Sequence, residues 1–424
     1  IFPLAAIGLF LGFTGGWRRW RELPLVSSAA VFLIIAVPWH LVVGHRVPGF
    51  YWFYFINEHF LRAVNRTMQQ DFAPVPRLLW WAEHLTWLFP WSIFGGYALA
   101  EIPRISEWRT RTPGANVTRR REIEPRLLLL FWAGFILLFF SIATRLEYYS
   151  FAAWPAMALL LGAGLARGEE NRSRWLPRLQ ALLAGIGALA AAVLCALLWL
   201  SRGVSSSGGI ASLLHAKPED YYRQAMSNMS DLTVQAFAAL RGPAIGAAIV
   251  LLAGFGVAWV LRRKGRAQAA TLATALAAAG FLFAAYGAEL RFEPYLSSRA
   301  LAEQISRYFQ PGDRVLLYGD FYGGCTVSFY THQKLWIWNG RYYGLAYGSN
   351  YPDAPQIFLN DSQFPGFWKG PERVFLDVPE AHRQEALKRL PRQDTYLVAE
   401  SGGKAVYTNR PLRPGQLPIG PGSD

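Results

Sequence analysis

Residues 181–200 read ALLAGIGALAAAVLCALLWL, a run of twenty residues without a charged side chain. A helix rises about 1.5 Å per residue, so a run of this length covers roughly 30 Å of hydrocarbon. The chain is 53% hydrophobic and only 17% charged, too apolar for an ordinary pair of soluble domains. Its apolar residues collect in eight blocks, which are 1–14, 24–43, 78–101, 127–144, 149–166, 177–200, 243–262 and 268–288. We therefore predict a multi-spanning α-helical membrane protein with about eight transmembrane helices.

The positive charge of the chain follows the loops between these blocks. Lys and Arg number 18 in one alternating set of loops, which is 17–23, 102–126, 167–178 and 262–266. The other set holds only 9, in loops 44–77, 145–148 and 201–242. Cytoplasmic loops concentrate Lys and Arg, so the first set is predicted to face the cytoplasm. The net charge of +14 is then mainly a topology signal, and we expect no nucleic-acid partner.

The two ends of the chain differ in character. The first block begins at Ile1 without an initiator Met, so we expect the true N-terminus to lie upstream. After the last block the apolar runs shorten, and the pattern predicts helices at Ser298–Phe309 and Glu380–Arg389. Strands are predicted at Arg314–Tyr318, Cys325–Tyr330, Arg373–Val378, Tyr396–Glu400 and Ala405–Thr408. We predict a transmembrane helical domain over 1–288 and a C-terminal soluble α/β domain, outside the cytoplasm, over 289–424.

A first cluster of ionisable residues lies in the aromatic-rich loop 44–77, where a helix at the membrane interface is expected. In an α-helix Glu58, His59 and Arg62 would project to one side. Arg62 could bind two phosphate oxygens at once, and Glu58 with His59 could contribute to a divalent metal site. The alternative is an ion pair within the helix with Arg62 reaching towards water, and spacing alone does not separate the two.

A second cluster, Arg145, Glu147, Tyr148 and Tyr149, lies in a very short outer turn between two predicted spans. Such a turn stays at the depth of the outer lipid headgroups, where a lipid phosphate lies. An aromatic-belt anchor is the alternative. A third group, Glu83 and His84, enters the membrane from the same side and is typical of a structural pair reached by water. All three groups face one side, which favours a site there.

Three motifs carry a resemblance to a known family. They are PWHLVVGHRVPGFYWFYFINEHFLRAVNR (38–66), HLTWLFPWSIF (84–94) and TRLEYYSFAAWPAMALLLG (144–162). They resemble the polyprenyl-phosphate-sugar glycosyltransferases of the protein-mannosyltransferase superfamily, with the GT-C fold, and within it the aminoarabinose transferases that modify lipid A. The resemblance is close over 24–166 and looser beyond, although the α/β tail is also similar to that branch.

The resemblance implies roles for these residues. Arg62 would contact the carrier phosphate, and Tyr148 or Tyr149 would close over it. His59 is similar to a position that can contribute to a metal site. Arg145 occupies the matching turn and is grouped with the donor-binding residues, without an assignable role of its own. The family's catalytic acidic residue belongs to the first outer loop, after the first helix. No catalytic residue is therefore expected within this chain, and the base is expected upstream of Ile1.

The function that this resemblance implies is inverting transfer of a sugar from a polyprenyl-phosphate carrier to a lipid or protein acceptor. The expected location is a bacterial inner membrane, with the reaction and the tail on the periplasmic side. Two alternatives stay open: a transporter or flippase of lipid-linked saccharides, and a non-catalytic membrane scaffold whose tail binds glycan or protein. The sequence contains no internal repeat, and its polar groups gather at one surface, which favours the enzyme over a transporter.

Overall fold

The computed structural model describes residues 2–17, 21, 24–64, 66–68, 75–108, 117–204, 234–319 and 321–419. Within these residues six helical segments are long and apolar enough to cross a membrane. They are Leu25–Arg46, Arg121–Ile142, Glu147–Glu170, Trp175–Ser201, Arg241–Arg263 and Ala267–Tyr308. No more than a third of any of them is buried inside the protein, as expected for side chains that face lipid. Six of the eight predicted blocks are thus confirmed as possible spans.

The count of eight spans is not confirmed, because two predicted blocks form shorter helices. The helix at Phe2–Phe13 has 12 residues and a length of about 18 Å, short of the roughly 30 Å needed to cross. Block 78–101 is broken into Arg77–Trp87, a 3₁₀ turn at Trp91–Phe94 and Gly95–Ala100. Pro90 stands at this break, where its ring and missing N–H prevent the helix from continuing.

The remaining bounds complete the element order. The α-helices are α1 (Phe2–Phe13), α2 (Leu25–Arg46), α3 (Arg77–Trp87), α4 (Gly95–Ala100), α5 (Val117–Ile142), α6 (Trp154–Glu170), α7 (Trp175–Ser201), α8 (Val234–Ala239), α9 (Arg241–Ile249), α10 (Phe255–Arg263), α11 (Ala267–Leu296), α12 (Arg299–Tyr308), α13 (Phe321–Thr331), α14 (Tyr343–Gly348), α15 (Phe364–Trp368) and α16 (Glu380–Arg389). The strands are β1 (Arg314–Tyr318), β2 (Leu335–Trp338), β3 (Phe358–Leu359), β4 (Val374–Pro379), β5 (Tyr396–Ser401) and β6 (Lys404–Thr408). Trp52–Leu61 and Val250–Gly254 are π-helical, and Glu147–Ala153 is a 3₁₀ segment.

The chain groups into two compact units. One comprises residues 1–188 and 251–278, and the other comprises 189–250 and 279–424. In the first unit α6 packs closely on α4, because two glycines leave room for Tyr97. A Cβ added at Gly164 would lie 2.3 Å from the Tyr97 carbonyl oxygen, and one at Gly168 would lie 2.5 Å from its ring. Small residues at a helix contact are the usual way in which membrane helices approach each other.

The second unit contains a six-stranded sheet with the order β3-β2-β1-β4-β6-β5. Strands β3, β2, β1 and β4 are parallel, and β6 and β5 are antiparallel additions. One face packs against α15 and α16 through a core that includes Trp338, Phe364 and Trp368. The other face is covered by α12 and α13 through Leu301, Ile305 and Val327. The predicted C-terminal α/β architecture is confirmed as this three-layer arrangement.

The predicted strand at Cys325–Tyr330 is wrong, because these residues belong to α13. The run CTVSFY has the β-branched and aromatic content of a strand, but two glycines precede it and allow a helix to pack tightly on the sheet. A Cβ at Gly324 would lie 2.2 Å from the Leu317 Cδ1 atom of β1. The short strands β2 and β3 were not predicted. The other four predicted strands and both predicted helices of the tail are present.

One buried charged pair lies within the sheet. Asp377 of β4 is 1% exposed, and neither of its carboxylate oxygens has a hydrogen-bond partner among the described residues. Burial raises the pKa of Asp377 to about 7, although the positive charge of Lys404 acts in the opposite direction. Lys404 of β6 is also buried and donates a hydrogen bond of 3.0 Å to the Ser298 hydroxyl. Burial lowers the pKa of Lys404. Desolvation therefore outweighs attraction at this pair.

Candidate functional site

The helix predicted in loop 44–77 is present as the π-helix Trp52–Leu61. In a π-helix the backbone N–H bonds to the carbonyl five residues earlier, so residues five apart rather than four lie over one another. The N–H of Arg62 accordingly donates to the Asn57 carbonyl. Such segments are rare and occur frequently at functional sites. The α-helical spacing that placed His59 beside Arg62 in the sequence-based prediction therefore does not apply here.

The π-helix is held in place by Asn57, whose side chain is almost fully buried at 1% exposure. Its amide nitrogen donates to the Glu58 carboxylate at 2.8 Å, and its side-chain oxygen accepts from the Met68 backbone N–H at 3.0 Å. The first bond orients Glu58, and the second ties the helix to the chain that follows it. Sequence reasoning gave Asn57 no role, because its partner at Met68 lies across a loop.

Arg62 and Glu58 form an ion pair on this helix. The Glu58 Oε2 atom accepts from the Arg62 Nε at 2.9 Å and from its Nη2 at 2.5 Å. About a quarter of each side chain is exposed. The guanidinium is thus held in a fixed direction while remaining accessible. The ion pair that was the alternative to phosphate binding is present. A ligand that offers two anionic oxygens could still reach the same guanidinium.

The short turn after α5 brings Tyr149 to Arg62. The Arg62 guanidinium and the Glu58 carboxylate both lie near enough to the Tyr149 side chain to act on it electrostatically. The two segments are also joined through the backbone, because the Thr144 N–H donates to the Ala63 carbonyl at 3.0 Å. Of the tyrosine pair predicted to lie near Arg62, the structure brings Tyr149 beside it. We call Glu58, Arg62, Tyr148 and Tyr149 the arginine–tyrosine cluster.

Tyr148 differs from its neighbour in exposure. Its ring is 55% exposed and meets the Tyr149 ring edge to face, with centroids 5.3 Å apart. Tyr149 is instead held on its other side by Phe140, at 4.9 Å between centroids. Tyr149 therefore presents a fixed hydroxyl to Arg62, whereas Tyr148 presents an exposed ring beside it.

Arg145 points away from the cluster and into the protein, and it is only 7% exposed. Its Nε donates to the Phe140 carbonyl at 2.8 Å, its Nη1 to the Val75 carbonyl at 3.0 Å and its Nη2 to the Ala143 carbonyl at 3.1 Å. Phe140 and Ala143 lie at the end of α5, where carbonyls lack helical partners. These contacts favour a role for Arg145 in holding the turn rather than in contacting a ligand.

The residues considered for a metal, Glu58 and His59, are directed to different partners. The His59 Nδ1 atom lies 2.6 Å from the Tyr54 carbonyl, and its ring packs on Tyr54 at 4.9 Å between centroids. The Glu58 carboxylate accepts hydrogen bonds from Arg62 and Asn57. Within the described part of the chain, no three His, Cys, Asp or Glu side chains come together as a metal-binding group. The residues present therefore do not fit a metal ion here.

The third polar group of the sequence lies against the same turn. Trp80 is fully buried, and its indole N–H donates to the Leu146 carbonyl at 3.2 Å. His84 packs on Trp80, with ring centroids 4.6 Å apart, and is 7% exposed. Glu83 on the same helix lies near enough to Glu147 for the two carboxylates to act on each other electrostatically. α3 thus braces the turn from one side while the π-helix contacts it from the other.

Comparison with known proteins supplies a family context for this geometry. No protein-family model matches the chain. The chain is 33% identical over 175 residues to undecaprenyl phosphate-alpha-4-amino-4-deoxy-L-arabinose arabinosyl transferase 2 of Pseudomonas fluorescens. The aligned residues make up 40% of this chain and 29% of that protein. The chain is 30% identical over 155 residues to the corresponding transferase of Pseudomonas aeruginosa, covering 35% and 25%. The matches thus span less than a third of these relatives' own length.

Solved structures show the same fold over nearly the whole chain. The crystal structure of ArnT from Cupriavidus metallidurans bound to undecaprenyl phosphate superposes with a TM-score of 0.67 at 24% identity, covering 98% of this chain and 66% of that one. The apo state of the same protein gives a TM-score of 0.66 at 22% identity. The resemblance predicted from the sequence is therefore confirmed: this chain is a multi-spanning membrane protein with the fold of an aminoarabinose transferase and with sequence similarity to that family.

Proposed function

We propose that the arginine–tyrosine cluster binds the phosphate of a polyprenyl-phosphate sugar donor in an inverting glycosyltransferase. The observation that carries this proposal is the proximity of Arg62 and Tyr149, which come from separate segments that the Thr144–Ala63 backbone hydrogen bond also joins. The names of the relatives support a donor of the undecaprenyl phosphate-aminoarabinose type. The bound undecaprenyl phosphate of the similar crystal structure supports the lipid part of that donor.

The chemistry fits these side chains. In transfer from a phosphate-linked sugar, the bond between the anomeric carbon and the phosphate oxygen breaks and negative charge grows on the phosphate. Groups that are already aimed at the developing charge stabilise the transition state most, because they need no reorganisation. The Arg62 guanidinium offers two parallel N–H donors, and the Tyr149 hydroxyl offers a third donor beside it. Glu58 holds the guanidinium in position before the donor arrives.

The acceptor side of the reaction is assigned by the resemblance alone. A base must remove the proton of the acceptor hydroxyl while the sugar is transferred. We place this base outside the present chain, as the family pattern implies, and no side chain of the arginine–tyrosine cluster is given that role. The acceptor is proposed to be a lipid or a protein. We also propose a bacterial inner-membrane location, a transmembrane domain over 1–288 and a periplasmic domain over 289–424.

The test measures donor binding and sugar transfer on protein produced from its complete gene. Native mass spectrometry with undecaprenyl phosphate reports binding, and a radiolabelled undecaprenyl-phosphate sugar reports transfer in detergent. Arg62→Ala should weaken transfer by about 10²- to 10³-fold, the usual cost of removing one stabilising donor. Arg66→Ala is the matched control, because Arg66 is an exposed arginine of the same loop and should leave both readouts unchanged.

The outcomes separate the proposed enzyme from its alternatives. Loss of transfer in Arg62→Ala with unchanged expression supports the enzyme. Unchanged transfer in that variant removes Arg62 from the site. Binding of undecaprenyl phosphate without any transfer by the intact protein would favour a flippase of lipid-linked saccharides. Absence of both would favour a scaffold that binds its partner through the tail.

A further inference from the structure

A cavity of about 540 Å³ opens beside the sheet, at a place that the proposed donor site does not use. It lies outside the carboxyl ends of the parallel strands β1, β2 and β3, where open α/β sheets bind ligands. Its volume falls within the roughly 300–1,000 Å³ that small-molecule sites occupy. Side chains that follow β1, β2 and β3 converge there with side chains of α16.

Two glycines shape this cavity. Gly319 follows β1 with a φ of +81°, a conformation that glycine adopts without strain. Gly340, after β2, lies so near to it that an added Cβ would be 2.0 Å from the Gly319 carbonyl oxygen. The strand ends therefore meet directly, and the polar residues that follow them are brought to one wall.

The polar wall is organised by its own hydrogen bonds. Asp361 accepts from the Trp338 indole N–H at 3.0 Å and from the Asn339 amide at 2.6 Å. It also accepts from Arg389 at 2.5 Å, and Arg389 donates in turn to Glu385 at 2.9 Å. These planar groups are thus fixed in direction before any ligand arrives, which lowers the entropic cost of binding.

The Tyr318 hydroxyl extends this wall. Glu385 and Asn339, which also line the cavity, lie near enough to this hydroxyl to act on it. Burial and the neighbouring Glu385 carboxylate raise the pKa of Tyr318 to about 12, so the hydroxyl keeps its proton at neutral pH. It therefore remains a hydrogen-bond donor throughout the physiological range.

Charge and aromatic content indicate the class of ligand. Among the described lining residues, the two arginines Arg341 and Arg389 balance the two carboxylates Asp361 and Glu385. A cavity without net charge offers little to a phosphate or a metal ion, but its amide, carboxylate and hydroxyl groups match adjacent hydroxyls. Tyr342 adds to the lining an aromatic ring that is 49% exposed. Phe358 also lines the cavity, and the Arg341 guanidinium lies over the Phe358 ring, 5.2 Å from its centroid.

We propose that this cavity is a saccharide-binding site, in which the polar wall takes the hydroxyls of an uncharged sugar and the Tyr342 ring packs against its apolar face. The cavity shares no lining residue with the arginine–tyrosine cluster, and its occupancy does not depend on catalysis. It gives the tail a binding function of its own, whether or not the chain transfers a sugar.

The experiment uses the full chain in detergent on a glycan array that spans neutral, amino and acidic sugars. Bound neutral sugars are then titrated by saturation-transfer NMR. Tyr342→Ala should weaken binding about tenfold, the loss of one aromatic contact, whereas Tyr342→Phe should retain it. Tyr322→Ala is the matched control, because Tyr322 is 43% exposed and lies outside the cavity.

Binding of neutral sugars that falls with Tyr342→Ala and survives Tyr342→Phe and Tyr322→Ala would support the proposal. It would be overturned if no sugar on the array binds, or if binding is the same in Tyr342→Ala and in the unchanged chain. A parallel titration with ADP addresses the other ligand class common at such sheet edges. Saturable ADP binding that falls with Tyr342→Ala would replace the saccharide assignment with a nucleotide site.

Discussion

Two of the acid–base pairs among the described residues differ in burial, and the difference decides whether they can serve binding. In the arginine–tyrosine cluster, Arg62 and Glu58 are about a quarter exposed and meet through two hydrogen bonds. In the sheet, Asp377 and Lys404 are 1% and 8% exposed, and the carboxylate oxygens of Asp377 have no hydrogen-bond partner among the described residues. Arg62 can exchange Glu58 for a ligand at a small cost in free energy. The second pair can only raise or lower the stability of the fold.

One way to break the comparison is to remove the cation near the buried carboxylate. Lys404→Met raises the pKa of Asp377 further, and because the carboxyl then takes up a proton, the opening free energy of β4 and β6 at pH 8 should fall by no more than about 1–2 kcal/mol. Hydrogen exchange of peptides from these strands, measured on the full chain, reports this energy. The matched control is Asp377→Asn with Lys404→Met, which removes both charges and should recover most of the loss. Equal exchange in the single and double variants would show that the pair is not coupled.

A second prediction concerns how the stability of the folded state depends on pH through Asp377. The pKa of Asp377 is raised in the folded state to about 7 from an ordinary value of 3.8. The folded state therefore binds more protons between about pH 4 and pH 7, and its stability should fall as pH rises through this window. The fall is at most about 4 kcal/mol, since one pKa unit is worth about 1.36 kcal/mol. Exchange of β4 at pH 5 and pH 8 measures it, and Asp377→Asn should remove most of the difference.

Arg145 tests whether a buried arginine in the turn acts by structure or by binding. Arg145→Ala removes three donors from the Phe140, Val75 and Ala143 carbonyls and should destabilise the turn by about 2–3 kcal/mol. Exchange of a peptide that covers 140–149 should therefore rise. Arg62→Ala should weaken undecaprenyl phosphate binding without that rise. Unchanged exchange in Arg145→Ala, with weaker lipid binding, would instead place Arg145 at the phosphate.

The smallest effect concerns the exposed pair. An ion pair of this exposure is worth no more than about 1 kcal/mol, so Glu58→Gln should change undecaprenyl phosphate affinity by no more than about fivefold. Removal of the competing carboxylate should raise affinity, and loss of the fixed guanidinium direction should lower it. Native mass spectrometry measures the net change in undecaprenyl phosphate affinity. A change of a hundredfold would show that Glu58 itself contacts the ligand, contrary to its assigned role in positioning.

The transmembrane architecture could be predicted because it depends on local composition. A run such as 181–200 must form a helix in lipid, since no water is present to satisfy its backbone groups. The same reasoning failed at 78–101, where the average hydropathy was sufficient but Pro90 interrupts the helix. In the tail, short strand-like runs identified β1, β4, β5 and β6. Cys325–Tyr330 was misassigned because Gly324 permits a helix–sheet contact that no local propensity records.

The sequence by itself determined that the chain crosses a membrane, that an α/β domain follows, and that Arg62, Tyr148 and Tyr149 occur in motifs of one family. These properties follow from runs and motifs read along the chain. Only the tertiary structure decided that Tyr149 rather than Tyr148 lies beside Arg62. It also decided that the His59 ring packs on Tyr54 within a π-helix, and that Arg145 donates to backbone carbonyls. It alone assembled the cavity beside β1–β3, because hydrogen-bond direction and packing depend on residues far apart in sequence.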